Sequence, residues 1–216
     1  MDKLRIFLGD LTYDTVAIST EAMPLNVGYV ASYCKKKFGD RVEILLFKYI
    51  QDIESAIKKS PPDVLGLSNY IWSYNLSSEI FKILKNSKPT AVTIWGGPNF
   101  PLDFPSQEKF MKKHPEVDVY VPIEGEVGFV NTIQRILDAE SSEEIHKKIK
   151  SEPIEHCISR NKEGRLQNTF TGYRIKHLDD EMPSPYTTGL LDKFFDGKLV
   201  PILQTTRGCP FHCTFC

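Results

Sequence analysis

Short apolar runs recur through residues 1–140 of this 216-residue chain, each followed by a stretch with helical spacing, and this alternation limits the possible folds more than any other feature. The runs are Leu4–Leu8, Val42–Phe47, Asp63–Ser68, Thr90–Trp95 and Val117–Val121. Most are too continuously apolar for a sheet with one wet face. Strands alternating with helices imply a parallel sheet with right-handed crossovers, buried on both sides. The first helix is predicted to begin near Pro24, since proline is tolerated in a first turn, with Val27, Val30, Ala31, Cys34 and Phe38 along one face and a stop at Gly39-Asp40. Ile50–Lys59 follows, ended by Pro61-Pro62; then Leu76–Asn86, capped by Asn75 with Glu79 near its positive end; then Ser106–Lys113. Pro122–Glu126 opens a last major helix with Val130, Ile133 and Leu137 inward. The predicted fold class is α/β, a doubly wound five-stranded parallel sheet of the Rossmann or flavodoxin type, order 2-1-3-4-5.

Ligands of such sheets bind at the carboxyl ends of the strands. Loops 9–23, 68–75, 96–101 and 122–126 therefore share one edge. Their glycines permit backbone to approach a bulky planar ligand, and Ser68, Asn69, Asn75 and Asn99 offer hydrogen bonds to its rim.

The stretch after Leu137 reads as a connector. Ser141 and Glu144 suit a capping box for a short helix ending near Lys150, and Asn161–Gly164 suits a hairpin turn between 156–159 and 165–169. Residues 179–186, with Pro183 and Pro185, form an extended linker, and Leu190, Leu191, Phe194 and Phe195 are expected to pack between domains. Leu199–Leu203 then reads as a buried parallel strand entering a loop with Cys209, Cys213 and Cys216. Three thiolates on one short loop can converge on an iron–sulfur cube, whereas tetrahedral zinc wants a fourth protein ligand, for which His212, adjacent to Cys213, is awkwardly placed. Cys34 and Cys157 read as small core residues.

The cysteine loop, with Phe215 before its last thiol, resembles the signature loop of the radical S-adenosylmethionine (radical SAM) enzymes. That resemblance implies a [4Fe-4S] cluster on Cys209, Cys213 and Cys216, with S-adenosylmethionine on the open iron and Phe215 packed beside it; the radical chemistry is then the cofactors' own. Upstream, Pro24-Leu-Asn26-Val-Gly28-Tyr, Asp63–Ser68, Gly96-Gly97-Pro98 and Glu124-Gly125-Glu126 occur in the order seen in the cobalamin-binding domain that precedes the barrel in the B12-dependent branch of that family. The resemblance places cobalamin over the strand ends, near Asp10, Asn26, Gly28, Ser68, Asn69, Asn75, Gly96, Gly97, Pro98, Glu124, Gly125 and Glu126. One departure matters. The loop Asp10–Thr15 lacks the histidine that many cobalamin proteins place below cobalt, and the five histidines, at 114, 146, 156, 177 and 212, lie far downstream. Cobalt is therefore expected to have no protein histidine ligand.

The resemblance divides the chain into a cobalamin-binding domain (1–140), a connector (141–198) and the start of a radical SAM barrel (199–216). A complete α/β barrel would need about 150–200 further residues, so the reaction is expected of a longer parent protein and not of this chain alone. The implied reaction is methyl transfer to an unactivated carbon or phosphorus centre of a small-molecule substrate, with electrons from a flavodoxin- or ferredoxin-type donor. Non-methylating rearrangement or cyclisation, a non-catalytic cobalamin module and a flavin-binding module are the alternatives. The last is disfavoured because the first loop lacks a clustered Ser/Thr phosphate cradle.

Net charge is −1 with acids and bases interspersed, which gives no basic stripe for nucleic acid. No 18-residue apolar run and no apolar core behind the charged start suggest a membrane segment or secretion signal. Five cysteines, three of them in one loop, fit a reducing cytoplasm better than a disulfide framework.

Overall fold

The computed structural model describes residues 3–14, 20–172, 175, 178–208, 211 and 213–214. The apolar runs become five parallel strands, β1 (Leu4–Thr12), β2 (Val42–Tyr49), β3 (Val64–Ser68), β4 (Val92–Gly97) and β5 (Val119–Pro122), in the order β2-β1-β3-β4-β5. Alternation along each strand splits the core in two. Ile6, Leu8, Val64, Ile94 and Val121 face α1 (Leu25–Phe38) and α5 (Gly125–Leu137). Phe7, Leu11, Leu65, Leu67, Trp95 and Tyr120 face α2 (Ile50–Lys59), α3 (Tyr74–Ser87) and α4 (Phe104–Lys113). Each such buried side chain contributes about 1.5–3 kcal/mol, so neither face can be given up.

The sheet continues past the predicted five strands. After α6 (Ser142–Ser151), strands β6 (Ile158–Arg160) and β7 (Leu166–Asn168) add antiparallel to the edge of β5, with Val119 opposite Ser159 and Tyr120 opposite Ile158. The intervening turn is fixed by the Asn161 Oδ1, which accepts from the backbone N–H of Glu163 (3.1 Å) and Arg165 (2.8 Å), and by Gly164 at φ +77°. The hairpin expected in a connector thus covers an open sheet edge. Two helix starts also differ from the sequence reading. A tight turn, Ser73 N–H to Tyr70 O (3.1 Å), lets α3 begin before Asn75, so Ser73 is the cap and Asn75 is an exposed first-turn residue. Asp103 caps α4 by accepting from Ser106 N–H (2.9 Å), with Pro105 in the first turn.

From α7 (Leu178–Glu181) the chain runs back along α1: the Ser32 hydroxyl donates to the Pro183 carbonyl, and Lys36 Nζ donates to the Glu181 carbonyl (3.1 Å). Leu191 and Phe194 are buried against the α1 side of the core, whereas Phe195 is 60% exposed. Leu199–Leu203 is not the buried strand that its composition suggested. Only Leu199 is buried, and the run is attached by one parallel bridge, Ala22 with Val200, and by the Tyr186 hydroxyl at Ile202. Pro201 has no N–H to give a ladder, and among the described residues no strand flanks it on the other side.

Two outcomes follow from this packing. A Cβ at Gly128 of α5 would lie 2.6 Å from Val121 Cγ1 and 2.8 Å from the His156 carbonyl oxygen. Gly128→Val should therefore lower the unfolding free energy by about 2–3 kcal/mol in urea titrations; an unchanged midpoint would contradict this close approach. Burial pushes the Cys34 and Cys157 thiols up to about 12, so both should resist iodoacetamide at pH 8 in the native protein and react once it is denatured, as mapped by peptide mass.

Candidate functional site

A cavity of about 710 Å³ opens at the carboxyl ends of β1, β3, β4 and β5, on the sheet face that carries α1 and α5. Register builds its floor: Leu8 pairs with Gly66, Gly66 with Ile94, and Gly96 with Val121. Gly66 has a packing role. A Cβ there would meet Leu8 Cδ2 at 2.5 Å and Phe129 Cε2 at 3.3 Å, so glycine lets Leu8 and Phe129 close over β3 and form the base of the cavity. Leu8, Ile94 and Val121 of the strands, Val27 and Val30 of α1 and Phe129 of α5 give the cavity its apolar lining.

The mouth is polar. Asn26 Nδ2 donates to Ser68 Oγ (3.1 Å) and to the Tyr70 hydroxyl (3.4 Å), and Ser68 Oγ donates to the Gly9 carbonyl (3.2 Å). Burial, with the charge of Asp10 nearby, pushes the Tyr70 phenol above its ordinary pKa, and the Asn26 hydrogen bond only partly opposes this. The Tyr70 ring stacks on Trp72 at 4.7 Å and 6°. At the other side of the mouth Ile123 takes a left-handed conformation (φ 57°), costly for a β-branched residue, and this turn sets Glu124 and Glu126 at the start of α5. An apolar cavity with a few convergent polar groups at its mouth suits a ligand with a flat apolar part and a polar periphery.

The residues expected at the site divide sharply. Asn26, Ser68, Gly96, Gly97, Glu124, Gly125 and Glu126 line the cavity. Asn69 lies behind it, donating to the Asn99 carbonyl (2.7 Å) and the Tyr120 hydroxyl (3.0 Å), and so braces the loop after β4. Pro98 is in that loop but outside the lining, and Asn75 is exposed on α3 away from it. Gly28 faces the linker: a Cβ on it would sit 3.1 Å from Pro185 Cβ. Asp10 belongs to β1 and not to a loop; it is buried, paired with the fully buried Lys48 (3.2 Å), and its Oδ1 has no hydrogen-bond partner. Cys209, Cys216 and Phe215 lie outside the described residues, and Cys213 is exposed.

Sequence reasoning missed Gly66, Tyr29, Tyr70, Phe129 and the role of Arg207, all of which line the cavity. An isolated glycine inside an apolar strand was the available signal for Gly66. Arg207 Nη2 donates to Glu126 Oε1 (2.6 Å) and Nη1 to Glu124 Oε2 (3.3 Å). Burial works against the guanidinium charge, but the hydrogen bond and charge of Glu126, together with Glu124, outweigh it and hold the Arg207 pKa above its ordinary value.

The family described as the B12 binding domain matches residues 13–133, more than half of the chain. The cobalamin-dependent radical SAM methyltransferase TokK of Streptomyces tokunonensis is 27% identical over 208 residues, covering 90% of this chain and 28% of that protein. The 2-(S-pantetheinyl)-carbapenam-3-carboxylate methyltransferase of Streptantibioticus cattleyicolor is 28% identical over 209 residues, covering 90% of this chain and 28% of that enzyme. The chain thus spans under a third of these relatives. The solved structure of the cobalamin-dependent S-adenosylmethionine radical enzyme OxsB, with aqua-cobalamin and S-adenosylmethionine bound, superposes with a TM-score of 0.68 at 20% identity, covering 100% of this chain and 28% of that one. Among the described residues no helix is long and apolar enough to cross a membrane.

The Asp10–Lys48 pair gives a stability test. Lys48→Met strands a buried carboxylate and is expected to cost about 3–5 kcal/mol, whereas the Asp10→Leu/Lys48→Met double variant should recover most of that loss. Equal losses in the single and double variants, read by chemical denaturation at pH 7, would show that the pairing is not what matters.

Proposed function

Because the chain belongs to the B12 binding domain family, we propose that it holds cobalamin in the cavity at its strand ends, as the cofactor-binding portion of a larger radical SAM methyltransferase. The observation that carries the reading is the cavity at the strand ends, walled by α1 and α5 and opening to a polar mouth within the matched stretch. Its chemistry fits the cofactor: the apolar lining suits a flat heteroaromatic group, and the mouth suits amide-bearing periphery. Among the described residues no histidine lines the cavity.

Bound there, cobalamin would supply methyl-transfer chemistry at cobalt. The chain's own contribution is binding and orientation. Asn26 and Ser68, already hydrogen-bonded to each other, would present polar groups to the ligand at fixed positions. Gly97, at φ +124° and with Asn69 backbone 3.0 Å from where a Cβ would stand, keeps the loop after β4 low beneath the mouth. Val27, Val30 and Phe129 exclude water from the cavity.

The same proposal assigns Cys209, Cys213 and Cys216 to a [4Fe-4S] cluster and Phe215 to the neighbourhood of S-adenosylmethionine. The cysteine spacing and the radical SAM names of the relatives support this. Methyl transfer is favoured over cyclisation because both curated relatives described above are methyltransferases. A small-molecule substrate, reduction by a flavodoxin- or ferredoxin-type protein and a cytoplasmic setting complete the reading.

Anaerobic titration with hydroxocobalamin followed by gel filtration tests the cofactor assignment. About one equivalent should be retained, with a visible spectrum lacking a histidine ligand, and Asn26→Trp, which puts a large ring at the half-buried mouth, should weaken retention at least about tenfold while circular dichroism shows the fold intact. Absence of retention by folded wild-type protein would sink the proposal.

A further inference from the structure

The last wall of the cavity is residues 202–208, the segment that leads into the cysteine run, and one side chain pins it. Arg207 has a side chain only 10% exposed, enclosed by Glu124 and Glu126, whose side chains are 16% and 5% exposed. Its guanidinium carbon lies 5.5 Å from the centre of the Tyr29 ring, and Nη2 also reaches Met182 Sδ at 3.6 Å. Two carboxylates brought this close at the start of α5 repel each other and are poorly hydrated. They need a buried cation, and the segment supplies it.

Elsewhere the segment is held lightly. Ile202 is 41% exposed and Leu203 81%, and the upstream attachments are the Ala22–Val200 bridge and the Tyr186 hydroxyl, which donates to the Ile202 carbonyl (2.8 Å) and accepts from its N–H (3.2 Å). The acceptors, by contrast, sit on a rigid support. Glu124 and Glu126 flank Gly125, where a Cβ would stand 3.0 Å from Val30 Cγ2 of α1, so the start of α5 is pressed against its neighbour.

We propose that Arg207 with Glu124 and Glu126 forms a clasp that keeps residues 202–208 as a removable wall of the cofactor cavity, so that the ligand exchanges only when the clasp opens. The identity of the ligand rests on the cobalamin reading; the clasp itself does not.

Trypsin reads the clasp without any ligand, since it cleaves after arginine and Arg207 is enclosed in the closed form. In Glu124→Gln/Glu126→Gln, which keeps shape and removes charge, cleavage at the Arg207–Gly208 bond, identified by mass, should be at least about tenfold faster than in the wild-type chain. Release of pre-bound hydroxocobalamin, followed by rapid gel filtration after dilution, should accelerate by a similar factor. Should the double variant fail to fold, Arg207→Ala, outside the sheet and its helices, carries the release measurement. Unchanged cleavage overturns the clasp. Faster cleavage with unchanged release overturns the wall. Failure of wild-type protein to retain cobalamin instead defeats the function proposed above, and the cleavage ratio then upholds or overturns the clasp by itself.

Discussion

Parallel pairing is the constraint on which the rest depends. Each of β1 to β5 must be re-entered from the same end, so every crossover helix carries the chain back and every β-to-α loop falls at one edge. With α1 and α5 on one face and α2, α3 and α4 on the other, both faces are sealed except where α1 and α5 leave the strand ends uncovered. The cavity lies where those two helices leave the strand ends uncovered. Its base is a matter of single side chains, with Gly66 letting Leu8 and Phe129 pack over the strand.

Charge is handled differently at two places on this edge. The Asp10–Lys48 pair is inside the protein and makes no contact with the cavity, so it acts on stability and on the field felt by Tyr70. Arg207 with Glu124 and Glu126 joins residues 202–208 to the sheet body and so acts on geometry. Both use buried ion pairs, whose net contribution to stability is small but whose loss on one side is costly. That asymmetry makes them effective at fixing one arrangement.

The fold was largely legible because it is written in periodicity. The runs at 4–8, 42–47, 63–68, 90–95 and 117–121 could only be strands buried on both faces, and the order of the five followed from the right-handed crossover. What escaped was decided by contacts distant in sequence. The 199–203 run looked like a strand, but strand character needs a neighbour, and Leu203 is 81% exposed. The hairpin was visible in Asn161–Gly164, yet its attachment to β5 is a tertiary event. At the site, polar residues in edge loops were a fair guide for Asn26, Ser68 and the Glu124–Glu126 stretch, and a poor one for Asn69 and Asp10, whose polar groups are consumed by Tyr120 and Lys48. Gly66 and Phe129 escaped because an apolar cavity is made of residues that look like ordinary core.

A core that keeps an open cavity at its edge forgoes part of its own cohesion. Whatever fills the cavity then becomes part of the folding equilibrium: a ligand held only by the native chain adds about 2.7 kcal/mol at a hundredfold excess over its dissociation constant. That is comparable to a fair fraction of the stability of an ordinary domain. In a cell short of the ligand, such a chain would be open to proteases more often and would decline in amount, so its abundance would record the supply of the molecule it was built around.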